Sequence, residues 1–238
     1  MNATKVIIYD DSCPMCKLYT WWFVLTGMLK PENRIGFATA SEEILSSIDL
    51  IRGRHEIPLY DRATGETIYG LKALTFVVGS KFPLLRPVLD SQVLYWMLYP
   101  LYQIITYNRR VIAGCKAACG FDCAPDFHRF YRSLYLGLAM AFVGGVGGLL
   151  MIGSHWIAVA VLMSFVVMTA CVGTIRVVSG AEGSGWDWFG NAVTVLIVVA
   201  GTCLPSVFLG EGGDLEGPAS VFALLLGLEE VIRRRLLY

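Results

Sequence analysis

Val6-Ile7-Ile8-Tyr9, followed by Asp10-Asp11-Ser12-Cys13-Pro14-Met15-Cys16, is the stretch whose reading decides the fold of this chain. The short run of apolar, mostly β-branched residues reads as a strand, and Lys17 to Leu25 reads as a largely buried helix. Pro14 suits a first helical turn, where no backbone N–H is needed. The two thiols therefore stand at a strand-to-helix junction, Cys13 at the helix N-terminus and Cys16 one turn further in. Unpaired N–H groups and the positive end of the helix dipole favour a thiolate at Cys13. Cys13 is thus expected to be the more exposed sulfur, with the lower pKa, and to attack; Cys16 is expected to resolve the mixed disulfide. The other readings of Cys-x-x-Cys are half of a zinc site and two ordinary buried cysteines, and the strand before and helix after favour redox chemistry. Asp10 is a candidate base for the Cys16 proton, although its charge also disfavours the Cys13 thiolate. Asp11 reads as a residue that caps or solvates the loop.

Asp10-x-x-Cys13-x-x-Cys16 after a strand ending in Tyr resembles the signature of the DCC family of thiol-disulfide oxidoreductases. Asp61-x-x-Thr64-Gly65-Glu66-Thr67-Ile68-Tyr69-Gly70-Leu71-Lys72-Ala73-Leu74 is similar to that family's turn, strand and Gly-x-x-Ala block. Tyr102 with Tyr107-Asn108-Arg109 is similar to its closing helix. The resemblance covers about residues 5 to 113. It implies a thioredoxin-like α/β fold and a dithiol that exchanges with a thiol or disulfide of a protein or small-thiol substrate, no cofactor being required. In thioredoxin-like folds an X-Pro bond facing the dithiol is cis, and Ile57-Pro58 occupies the matching place, so Pro58 joins Cys13, Cys16 and Asp10 as a candidate site residue. A cis prolyl bond costs only about 0.5 to 1 kcal/mol relative to trans.

Composition divides the chain. Of 238 residues 55% are hydrophobic and only 16% charged, too apolar for an ordinary soluble domain. Residues 1 to 132 hold fifteen Lys/Arg and twelve Asp/Glu, leaving four and seven for the remainder. Neither part carries a basic stripe suited to nucleic acid. The N-terminus shows no signal-peptide pattern, so the first domain is expected in the cytoplasm, where cysteines are more often catalytic or metal-binding than structural.

A second thiol cluster, Cys115, Cys119 and Cys123, has His128 five residues on. With Gly120 and Pro125 breaking the helix near Cys119, the four residues offer zinc-compatible ligands, without the usual two-residue spacing. A zinc or iron site, a second redox centre and inert cysteines are equally weighted there.

Ser133 to Ile175 runs 43 residues without a charge, enough for two membrane spans broken at Gly153-Ser154-His155, and Trp188 to Gly210 gives a third. A fourth, from Ala219, reaches spanning length only if its helix continues to Leu237. Gly144, Gly145, Gly147 and Gly148 are expected to form a small face for close helix contact. Residues 82 to 113 are aromatic-rich but interrupted by Pro100, and are expected to pack on the sheet or lie at the headgroup level rather than span. Basic residues at 129 and 132, at 176 and at 233 to 235 fall on one side, which places both termini in the cytoplasm. Cys171 and Cys203 fall at different depths and read as core residues.

The expectation is a thioredoxin-like domain over residues 1–113, a Cys-rich connector over 114–132 and an all-α membrane domain of about four helices over 133–238. The function expected is membrane-anchored thiol-disulfide exchange, and the alternative is a membrane-anchored module that binds or transfers a soft metal ion.

Overall fold

The computed structural model describes residues 4–114, 125–153, 155–179, 185–209 and 216–234. It divides into two compact units, one up to Tyr131 and one from Arg132 onward.

The N-terminal unit holds a small mixed sheet. β1 (Lys5–Tyr9) is followed by α1 (Pro14–Leu25), β2 (Arg34–Gly36), α2 (Glu42–Ser46) and α3 (Leu50–His55). Then come β3 (Pro58–Asp61), β4 (Thr67–Tyr69), α4 (Leu71–Lys81), α5 (Arg86–Leu89) and α6 (Gln92–Ala113). The strand order is β2-β1-β3-β4. β1 and β2 are parallel, joined by the α1 crossover, while β3 runs antiparallel to both β1 and β4.

Alternation along β1 separates two cores. Ile7 joins Phe23, Leu29, Leu59, Ala73 and Val77, drawn from α1, β3, α4 and the residues after α1. Val6 and Ile8 pack with Phe37, Ile44 and Ile48 on the opposite face. Gly70 starts α4 with φ of +66°, a conformation that disfavours any side chain. β2 is only three residues long: after Gly36 the chain turns into a single 3-10 turn, Phe37–Thr39. Ser41 precedes α2 without a side-chain capping bond, and Glu42 and Glu43 in the first turn complement the positive end of that helix.

α6 is unbroken through Pro100. Proline removes one helical hydrogen bond, and here the flanking segments hold the helix: Ser91 caps its N-terminus, Gly114 closes its C-terminus in the left-handed conformation, and its last turns are buried.

The C-terminal unit is helical. α7 (Arg129–Ile152), whose first turn contains the unit boundary, α8 (Trp156–Ser179) and α9 (Gly185–Leu209) contain three segments long and apolar enough to cross a membrane. α7 ends at Ile152 and α8 begins at Trp156, on either side of the break expected from the sequence. α10 (Glu216–Arg233) has 18 residues, a length of about 27 Å, and carries Glu229, Glu230 and Arg233 within that length. It packs on α8 and α9 but does not join the three.

Close helix contact arises elsewhere than expected. Among the described residues a side chain added at Gly144, Gly145 or Gly148 would meet nothing, and at Gly147 only Leu162. At Gly227 of α10, by contrast, a Cβ would clash with the Phe165 ring and lie 2.7 Å from Val199, so α10 approaches α8 and α9 this closely because residue 227 is glycine. One end of this unit is polar. Arg132 lies 3.1 Å from Asp187 and donates to the Trp186 carbonyl, Arg176 sits over the Trp188 ring, and Arg234 donates to Asn191. The start of α7, the end of α8, the start of α9 and the end of α10 therefore share that end.

Candidate functional site: the Cys13–Cys16 dithiol

The site is built where β1 ends. Cys13 is the N-cap of α1 with extended backbone, Pro14 occupies the first turn, and the Cys13 amide donates to the Asp10 carbonyl. The loop between strand and helix is held from both sides. Asp10 Oδ1 accepts from the Ser12 amide at 2.9 Å and from its hydroxyl. Asp11 accepts from the Ala38 amide and lies against Gly36, where a Cβ would come within 2.6 Å of the carboxylate. Arg34 stacks on Tyr9 with its guanidinium carbon 4.2 Å from the ring centre, and donates to Thr20 and to the Lys17 carbonyl. The first turns of α1 are thereby fixed on the sheet.

Both cysteines are thiols and both are buried, Cys13 at 0% and Cys16 at 1% exposure. The expectation that Cys13 is the more exposed sulfur is corrected here. A helix N-terminus facing solvent would expose its first residue, but Tyr9, Met15, Tyr19 and Ala113 pack against this pair, so the last turn of α6 covers it.

The same helix supplies a charge. Arg109 Nη1 lies 3.7 Å from Cys16 Sγ, and Nη2 lies 3.6 Å from Asp10 Oδ2 and 3.4 Å from the Arg54 carbonyl oxygen. Arg109 and Asp10 are 9% and 6% exposed. The Cys16 thiol is pushed well above its ordinary range by its hydrogen bond with Cys13 and by burial, with Arg109 opposing. Burial raises the Tyr19 hydroxyl as well, reinforced by the charge and hydrogen bond of Cys16. Burial alone would lower the Arg109 pKa, but the neighbouring sulfurs and Asp10 raise it overall, so it stays a cation.

Cys13, Cys16 and Asp10 are thus brought together. Among the described residues the Asp10 carboxylate contacts Ser12 and Arg109, not Cys16. Pro58 is not brought in. The Ile57–Pro58 bond is trans, no cis peptide bond being present among the described residues. The register continues Ile7 opposite Leu59 and so sets Pro58 across from Ile8. Its ring lies near Gly53 on the Phe37 side of the sheet, whereas the dithiol packs against Tyr9 on the other.

Cys115, Cys119 and Cys123 lie outside the described residues. His128 sits in an aromatic cluster, its ring centre 5.2 Å from Tyr107 and 4.8 Å from Tyr131. No three His, Cys, Asp or Glu side chains gather to hold a metal ion among the described residues. Cys171 is exposed, and Cys203 is buried beside the Ala158 carbonyl, thirteen residues along α8 from Cys171 and so about 20 Å away.

Arg109 is the site residue that motif reading passes over. Its signal is a basic residue in the last turns of a predominantly apolar helix, within the Tyr107-Asn108-Arg109 match, but nothing local says that it reaches a thiol 93 positions earlier. Comparison of the chain with protein-family models, curated proteins and solved structures gives no match.

Proposed function

We propose that this protein is a membrane-anchored thiol-disulfide oxidoreductase of the DCC type, with a thioredoxin-like N-terminal domain. The strand order β2-β1-β3-β4, with parallel β1 and β2 and the dithiol at the β1–α1 junction, supports the fold. The observation that carries the chemistry is the buried Arg109 guanidinium between Asp10 and Cys16. A fixed cation beside a dithiol stabilises the thiolate needed for attack and repels a metal cation, so it favours exchange over soft-metal binding.

In the forward step the Cys13 thiolate attacks one sulfur of a substrate disulfide. A Cys13–substrate disulfide forms, and the other substrate sulfur leaves as a thiolate. Cys16, after losing its proton, attacks Cys13 sulfur and expels the second substrate thiolate. The dithiol loses two electrons and the substrate disulfide gains them, with no cofactor. Asp10 positions Arg109 for both steps. Substrate entry requires that Cys13, covered by the last turn of α6, be uncovered, and the partner is a protein or small-molecule thiol or disulfide.

On this reading the chain is a multi-pass membrane protein with its N-terminal domain cytoplasmic. Arg132, Arg176, Arg233 and Arg234 at one end of the helical unit support that orientation. Cysteines introduced by Trp156→Cys and Val178→Cys, at opposite ends of α8, test it: an impermeant thiol reagent should label position 156 from outside intact cells and spare 178.

Trapping tests the chemistry. Cys16→Ser should accumulate mixed disulfides on non-reducing electrophoresis of acid-quenched cells, and Cys13→Ser almost none. Equal trapping by both variants, or by neither while the wild type holds stoichiometric metal, would overturn the exchange reading.

A further inference from the structure

α6 inverts the polarity expected of a helix on a water-soluble domain. Its second half buries Gln103, Thr106, Asn108 and Arg109. Its first half turns Val93, Trp96, Met97 and Leu101 outward, at 71, 67, 71 and 53% exposure. Their spacing, i, i+3, i+4 and i+8, puts these four on one helical face. The segment leading into α6 does the same, with Leu84 at 94% and Val88 at 57% exposure.

Single exposed apolar residues need no explanation, but a run of them over eighteen residues marks a surface that meets something apolar. We propose that this face, from Leu84 through Leu101, lies in the headgroup and upper acyl region of a lipid bilayer, with α6 in the plane of the interface.

Three observations select lipid as the occupant. The same chain carries three helices long and apolar enough to cross a membrane, so the N-terminal unit is joined covalently to segments suited to a bilayer. The composition is interfacial, because Trp96 is flanked by Tyr95 and Tyr99, whose rings stack at 5.3 Å and combine an apolar body with a polar tip. Lys81, exposed just ahead of the apolar run, and Arg86, exposed within it and 3.4 Å from Asp90, are basic groups that anionic headgroups would meet. The proposal is independent of the thiol chemistry, and its test does not read exchange activity.

The test uses the full-length chain in liposomes of phosphatidylcholine and phosphatidylglycerol. A photoreactive benzoylphenylalanine is placed at Met97 and, separately, at Val93, with a control at Thr64 in the exposed turn between β3 and β4. After irradiation, mass spectrometry should find lipid adducts at 97 and 93 at least fivefold above those at 64. Adducts joining two copies of the chain, or lipid adducts no more frequent at 97 and 93 than at 64, would overturn the proposal. The two positions are read independently, so a folding defect in one variant leaves the other decisive.

Discussion

Cys16 at the head of α1 and Cys203 in α9 are both fully or nearly fully buried, yet their surroundings differ in kind. Cys203 belongs to an apolar cluster with Val195, Val199, Ala158 and Leu162, and its sulfur makes a weak 4.0 Å approach to the Ala158 carbonyl. Cys16 has a second thiol, a tyrosine hydroxyl and a guanidinium around it, and the guanidinium is itself held by a carboxylate. Burial is common to both, so burial does not set the two sulfurs apart. What distinguishes them is a counter-charge delivered to one sulfur by a helix distant in sequence.

The largest effect that would break this comparison is on exchange itself. Cys13→Ser should abolish reduction of an aromatic disulfide by the protein, a loss of at least a thousandfold in stopped flow, while Cys203→Ser leaves the rate unchanged. Loss of activity in the Cys203 variant would put the two sulfurs in one pathway.

Arg109→Met should come next. The dithiol reaction should slow by about ten- to a hundredfold, because one pKa unit of lost thiolate stabilisation corresponds to about 1.4 kcal/mol. Thermal unfolding should also show a loss of about 3 kcal/mol, since Asp10 is left buried beside Ser12 without its cation. Arg109→Lys should recover part of the rate. Equal rates in wild type, Met and Lys variants would reduce Arg109 to a packing residue.

In the helical unit, where packing replaces charge, Gly227→Val should destabilise by about 1 to 3 kcal/mol through overpacking against Phe165 and Val199. The dithiol rate should not change. Thermal unfolding in detergent measures the first and the disulfide assay the second.

The smallest effect is a pH dependence confined to the N-terminal unit. The ammonium of Lys5, 2.6 Å away, and the Ala63 amide hold the Asp61 carboxyl at about 2, below its ordinary 3.8. A depressed carboxyl stabilises the fold above its unfolded pKa, and that contribution is lost as pH falls from about 4 towards 2. Asp61→Asn should flatten the stability profile in that window. An unchanged profile would assign acid unfolding to other groups.

Much of the site was legible because it is local. A strand, a four-residue loop and a helix starting at Pro14 follow from β-branched residues, a proline that needs no N–H, and an apolar run, all between Lys5 and Leu25. The break at residues 153 to 155 and the three long apolar helices were equally legible, since a lipid-crossing segment is defined by its own hydropathy. Pro58 misled because a proline before a strand looks the same whether its bond is cis or trans, and the strand register alone sets which face it joins. Pro100 misled because helix propensity disfavours an internal proline, while capping at Ser91 and burial of the C-terminal turns carry α6 through it.

Sequence by itself determined where the thiols stand, that a strand precedes and a helix follows them, and which helices are long and apolar enough for a bilayer. Those properties depend on neighbours within a few turns of the chain. Tertiary structure alone decided that Cys13 is covered, that Arg109 meets Cys16 and Asp10, and that Gly227 rather than the glycines of α7 is the point of closest helix approach. Each of these is a contact between residues separated by dozens of positions, and such contacts exist only after the sheet, α6 and the bundle have packed.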